Sequence, residues 1–184
     1  MKNFILERNR SALLIIDIQD TMLAAIPNRD SMLKNSRILL KAGLAYQLPL
    51  FASEHYPKGL GETNPSLQAC WGDRLSFKLN KTAFNGCQAE MLEALKSSGR
   101  KQIIVAGAET HICVMQTVRQ LLGEGFEVFI ASDAVGSRSE DNRKNGLDLM
   151  SEMGAVISNT EAILFDLIGD AKDPQFKALQ QLIK

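Results

Sequence analysis

Two hydrophobic periods alternate along this chain. Residues 12–18 are apolar except for Asp17, the pattern of a strand buried on both faces. Leu33, Ile38, Leu40 and Leu44 fall at helical spacing and predict a helix over 33–46; residues 49–53 then read as a second strand. Gly, Pro and polar residues crowd 54–73, which predicts a long loop, and 75–79 reads as a short third strand. A helix follows over 88–98, stopped by Gly99. Beyond it come a strand (102–107), a helix (110–122), a strand (126–132), a helix (141–153), a last strand (155–158) and two short helices.

Strands that alternate with helices imply right-handed crossovers and a parallel sheet covered on both faces. That alternation disfavours an α+β arrangement. At 184 residues the chain suits one domain, 1–184, better than two. In an open parallel sheet ligands bind beyond the carboxyl ends of the strands, so chemistry is sought there.

Three reactive side chains lie at those ends: Asp17 after the first strand, Lys78 in the third, and Cys113 in the first turn after Gly107. Val114, Val118, Leu121 and Leu122 form the buried stripe of the Cys113 helix, and unpaired N–H groups in its first turn favour a thiolate. A small buried hydrophobe is the plainer reading of the same Cys. Asp17 reads as a helix cap or turn former, or as a general base held by a nearby cation. Lys78 could be that cation or a solvated surface residue, and Lys81 stands close by.

Charge and composition narrow the partners. Acidic and basic side chains cancel, 21 against 21, so no overall field favours nucleic acid or an anionic membrane. No apolar run approaches the roughly 20 residues that span a bilayer, and the opening Met1 to Arg10 lacks the apolar core of a signal peptide. Cys70, Cys87 and Cys113 show no close pairing, which points to reduced thiols, a cytoplasmic location and neither disulfide nor zinc. Glu54 and His55 are adjacent and point opposite ways in an extended segment, so no metal or cofactor is expected. Gln19, Tyr56, Phe84 and His111 are candidates for a substrate pocket, with core or loop packing the alternative for the aromatic residues and a structural or pocket-edge role for His111.

The segment Gly107-Ala-Glu-Thr-His-Ile-Cys113-Val, with Gln116-Thr117, resembles the nucleophile motif of the isochorismatase-like cysteine hydrolases. Leu14-Ile-Ile-Asp17-Ile-Gln19-Asp20 is similar to that family's first-strand motif. Phe77-Lys78-Leu-Asn-Lys-Thr-Ala-Phe84 resembles its lysine motif, in which the lysine lies six residues before the aromatic; that spacing selects Lys78 over Lys81. Glu54-His-Tyr-Pro-Lys-Gly-Leu-Gly61 and the tail Leu167-Ile-Gly-Asp-Ala-Lys172 are closest to the isochorismatase domain-containing subgroup. The resemblance implies a three-layer Rossmann-like α/β sandwich with a six-stranded parallel sheet of order 3-2-1-4-5-6, and it carries a triad onto Asp17, Lys78 and Cys113. It also implies a cis peptide between Ala108 and Glu109, which would turn the Glu109 N–H beside that of Cys113 as an oxyanion hole.

Ser53-Glu54-His55 departs from the Asp-x-His metal motif of the nicotinamidases in this superfamily, which argues against a catalytic zinc. The expected activity is hydrolysis of a small non-peptide amide or related C–N bond through a Cys113 thioester, with Asp17 as acid and base and Lys78 as supporting cation. The alternatives are an isochorismatase-type ether hydrolase, a silent ligand-binding protein or a thiol redox protein. The expected partners are a small-molecule substrate and further copies of the chain: Phe165, Leu167, Ile168, Phe176, Leu179, Leu182 and Ile183 could dock on the domain or on a neighbour, and the resemblance implies a dimer or tetramer.

Overall fold

The computed structural model describes residues 4–184, so the first three residues of the Met1 to Arg10 stretch lie outside it. In chain order its elements begin β1 Ser11–Ile16, α1 Asp20–Leu23, α2 Arg29–Ala45, β2 Leu50–His55, α3 Pro57–Leu60, α4 Pro65–Trp71, β3 Phe77–Lys81 and α5 Ala89–Ser97. There follow β4 Gln102–Ala108, a single π turn Thr110–Val114 running into α6 Met115–Gly123, β5 Glu127–Gly136, α7 Glu140–Met153, β6 Val156–Ser158, α8 Thr160–Ile168 and α9 Phe176–Gln180. The strands form one six-stranded parallel sheet in the order β3-β2-β1-β4-β5-β6.

Every residue of β1 is buried because helices cover both faces of the sheet. Successive side chains enter opposite cores: Leu13 and Ile15 pack under α2 and α8, while Ala12, Leu14 and Ile16 pack with Met91 of α5 and Val118 of α6. The last helices dock on their own domain, with Leu167, Ile168 and Leu179 buried in the first core and Phe165 left partly exposed against the edge of Phe176.

The long loop expected over 54–73 contains α3 and α4. Asn64 caps α4 by accepting the Ser66 N–H at 3.0 Å, Pro65 opens it, and Leu67 and Trp71 fold into the core. A local cap thus organises a stretch whose composition reads as irregular. The third strand also lies two residues later than expected, ending at Lys81, and this shift decides which lysine reaches the site.

Close backbone approaches set the walls around the strand ends. A Cβ on Gly107, whose φ is +150°, would lie 2.3 Å from the Ile16 carbonyl oxygen. A Cβ on Gly146 would lie 2.9 Å from the His111 Cα, so α7 can seat against the π turn that carries Cys113 only through a glycine.

Candidate active site

Asp17 follows β1 in the left-handed region, φ 51°, and is completely buried. Its Oδ1 accepts from the Ser53 hydroxyl at 2.7 Å and its Oδ2 from the Lys81 ammonium at 2.5 Å. Lys81 Nζ also donates to the carbonyls of Ala83 and Phe84, both at 3.1 Å, so all three ammonium protons are engaged. A dry carboxylate and a dry ammonium survive together because each is paired and hydrogen-bonded.

The cation beside Asp17 is therefore Lys81, not Lys78. Along β3 the side chains alternate: Phe77, Leu79 and Lys81 share the face toward α5 and α6, while Lys78 and Asn80 are exposed. Lys78 reaches across to Glu54 at 3.2 Å, in parity with Ala52 on the opposite face. Glu54 in turn accepts the Thr63 N–H and hydroxyl, both at 2.9 Å, and so anchors the segment between α3 and α4.

Cys113 sits in the π turn, buried at the end of β4, and the Ala108–Glu109 peptide that precedes the turn is cis. Burial first, and then the charge of Asp17, push its thiol up to about 12; Lys81 and the Glu109 backbone N–H act in the opposite direction. The expected lowering by the helix terminus is overturned, because desolvation and a facing carboxylate outweigh one turn of backbone dipole. At rest Cys113 carries its proton, with Asp17 positioned to accept it. Thr117 braces the turn: its hydroxyl donates to the Cys113 carbonyl at 2.6 Å and accepts the Gly86 N–H at 2.7 Å.

Above the thiol lies a cavity of about 410 Å³. Met22, Ala25, Leu60, Phe84 and Ile112 supply its apolar wall; Thr21, His55, Glu109 and Arg138 supply its polar groups, with Cys113 among the lining residues. Phe84 stacks on His55 with ring centroids 5.5 Å apart. The Glu109 carboxylate is held by the Arg138 backbone N–H and Nε, both at 3.0 Å to Oε1.

Of the four pocket residues expected, only Phe84 lines the cavity. Gln19 is wholly buried and works one layer back: it accepts the His55 N–H at 2.7 Å and donates to the carbonyls of His55 and Gly61, tying the end of β2 to the loop beyond. Tyr56 is half exposed and covers Gly59 outside the cavity. His111 is not among the cavity-lining residues; its Nδ1 lies 3.1 Å from the Ser137 Oγ. His55, the Glu109 side chain and Arg138 went unrecognised in the sequence, since only the meeting of β2, β4 and the end of β5 brings them together. Among the described residues no three His, Cys, Asp or Glu side chains cluster closely enough to hold a metal ion, and no helix is long and apolar enough to cross a membrane.

A buried acid–lysine pair lies beside a cysteine at the carboxyl edge of a 3-2-1-4-5-6 parallel sheet, a Rossmann-like α/β sandwich with a cysteine-centred candidate site. Residues 11–162 match the Isochorismatase domain, and the chain belongs to the isochorismatase family. It is 36% identical over 169 residues to isochorismatase domain-containing protein 1 of Salmo salar, covering 91% of this chain and 59% of that protein; the chain thus spans less than two thirds of that relative's length. The structure described as MAR1 ribonuclease from Caenorhabditis elegans superposes with a TM-score of 0.92 at 33% identity, over 97% of this chain and 92% of the other. The YcaC gene product of Escherichia coli, described as an octameric hydrolase of unknown specificity, superposes with a TM-score of 0.90 at 27% identity, over 100% of this chain and 91% of its own.

Proposed function

We propose that this chain is a cysteine hydrolase that cleaves a small non-peptide amide or related C–N bond through a thioester on Cys113. The observation that carries this reading is the buried Lys81–Asp17 pair set against a protonated thiol at the foot of the cavity. Once a carbonyl substrate fills the cavity, Asp17 takes the thiol proton and the sulfur bonds the carbonyl carbon. The oxygen's developing charge rests on the backbone N–H groups of Glu109 and Cys113. Asp17 then gives its proton to the departing nitrogen as the C–N bond breaks. Water, deprotonated by the same carboxylate, attacks the thioester and frees the acid and the thiol. Lys81 pairs with Asp17 at 2.5 Å and fixes its orientation, the part that the spacing to Phe84 gives to Lys78.

A cavity with largely apolar walls and a chain without net charge both favour a small uncharged substrate over RNA, which the name of the C. elegans relative would suggest. The protonated resting thiol also disfavours a redox sensor, which needs thiolate character. Self-association, in keeping with the octameric E. coli relative, belongs to the same proposal; gel filtration with light scattering reads it directly.

The test is 4-nitrophenyl acetate followed by stopped flow and intact-protein mass spectrometry. A burst of nitrophenol with a 42-dalton acetyl adduct on Cys113, lost in Cys113→Ala, is the expected result. Full turnover in Cys113→Ala would overturn the mechanism.

A further inference from the structure

We infer that the Glu109 carboxylate is a substrate-binding group, one that selects amides carrying at least one N–H on the nitrogen next to the carbonyl. This rests on the reading of Cys113 as nucleophile and deepens it. Glu109 is only 8% exposed, yet it is among the residues that line the same cavity as Cys113. Its backbone N–H acts directly on the sulfur, so the carboxylate and the nucleophile are fixed to one short stretch of chain.

Orientation is the second observation. Both Arg138 donors, the backbone N–H and Nε, land on Oε1. Oε2 has no hydrogen-bond partner among the described residues and is not among their buried unpaired atoms, so it keeps access to solvent on a residue that lines the cavity. Arg138 thus leaves one carboxylate oxygen free beside a cavity whose other polar side chains are Thr21, His55 and Arg138 itself. An acceptor there pairs with a substrate N–H and has nothing to offer an ester oxygen or a fully substituted nitrogen. The class selected is primary and secondary amides, ureido groups included. Replacing Glu109 with Gln keeps an oxygen for Arg138 and turns an NH2 donor toward the cavity, which inverts the polarity the substrate meets without changing its shape.

Acrylamide and N,N-dimethylacrylamide make the matched probe, because they differ in the presence of the N–H bonds. In each, the sulfur of Cys113 bonds the terminal alkene carbon and the thiol proton ends on the adjacent carbon, so no other reactant is consumed. Rates of Cys113 adduct formation are read by intact-protein and peptide mass spectrometry, and each is divided by the rate with free glutathione. Wild type is expected to favour acrylamide by about tenfold after that correction, the discrimination one lost hydrogen bond to a charged group gives. Glu109→Gln should abolish the preference, bringing the ratio of the two corrected rates to about one. Arg138→Met, which keeps the carboxylate but frees its orientation, should show an intermediate preference and guards against a Gln variant that does not fold. A preference that persists unchanged in Glu109→Gln is steric and overturns the inference, as does an equal slowing of both reagents. Wild type with no Cys113 adduct from either reagent, while Cys70 reacts, sinks the nucleophile reading itself.

Discussion

Two acid–lysine pairs stand three residues apart on opposite faces of β3, and they differ in almost every physical respect. Lys81 and Asp17 are both dry, 1% and 0% exposed at the side chain, at 2.5 Å, with the remaining donors and acceptors satisfied by Ser53, Ala83 and Phe84. Lys78 and Glu54 meet at 3.2 Å with the lysine 37% exposed, and their carboxylate serves to hold Thr63. The first pair faces a thiol and a cavity; the second pins a loop. Identical chemistry takes opposite roles because strand parity sends one lysine into a sealed layer and the other toward water.

Exchanging the two lysines for methionine should break this contrast most sharply. Lys81→Met leaves the dry Asp17 carboxyl group without its ammonium partner, which costs about 3–5 kcal/mol in urea unfolding. The same change should lower 4-nitrophenyl acetate turnover by about 10²–10⁴-fold. Lys78→Met is expected to cost less, about 1–2 kcal/mol, since the buried Glu54 keeps the Thr63 N–H and hydroxyl as donors, with turnover within about threefold of wild type. Equal effects from the two variants would dissolve the distinction.

Next in size is Asp17→Asn, which separates the base from the thiol. Asp17 is one of the groups that raise the Cys113 thiol, so removing its charge should move the thiol's titration down from about 12 and speed iodoacetamide labelling at pH 8. Turnover should fall in the same variant, because no carboxylate remains to move the proton. Slower labelling would contradict the assigned direction.

A subtler effect concerns alkaline stability. The folded state holds the Cys113 proton up to about 12 and that of Cys87 up to about 11, whereas the unfolded thiols release theirs near 9.0. Unfolding should therefore become easier as pH rises from 9 toward 12. Cys113→Ala should flatten that slope in urea titrations; an unchanged slope would mean the thiol is less buried than the structure places it.

Ser53→Ala removes one hydrogen-bond donor to Asp17 while leaving the lysine. It should cost about 1–2 kcal/mol of stability and reduce turnover roughly tenfold.

Much of the scaffold was legible in the residues. The apolar run of β1, the glycine stop after α5 and the strand–helix alternation each reflect neighbours along the chain, and all correspond to elements in the structure. Asp17 and Cys113 also stood out, as reactive side chains at strand ends. Lys81 could have been found too: Phe77 and Leu79 mark the buried face of β3, and Lys81 is the next residue of that parity. Spacing to Phe84 pointed to Lys78 instead, since a count along the chain carries no information about which face of a strand a side chain takes. The capped helix at Asn64-Pro65 was readable in principle from its Asn and Pro, but the surrounding glycines masked it.

Local periodicity was enough to establish an α/β chain with an acid after its first strand and a cysteine after its fourth, because burial on a sheet imposes its pattern over a few residues at a time. Whether the thiol is protonated, which lysine guards the acid, and how Glu109, Arg138 and His55 surround a cavity were settled only by folding. Those properties depend on desolvation and on contacts such as Lys81 to Asp17, 64 residues apart, and no short window of sequence contains both members of the pair.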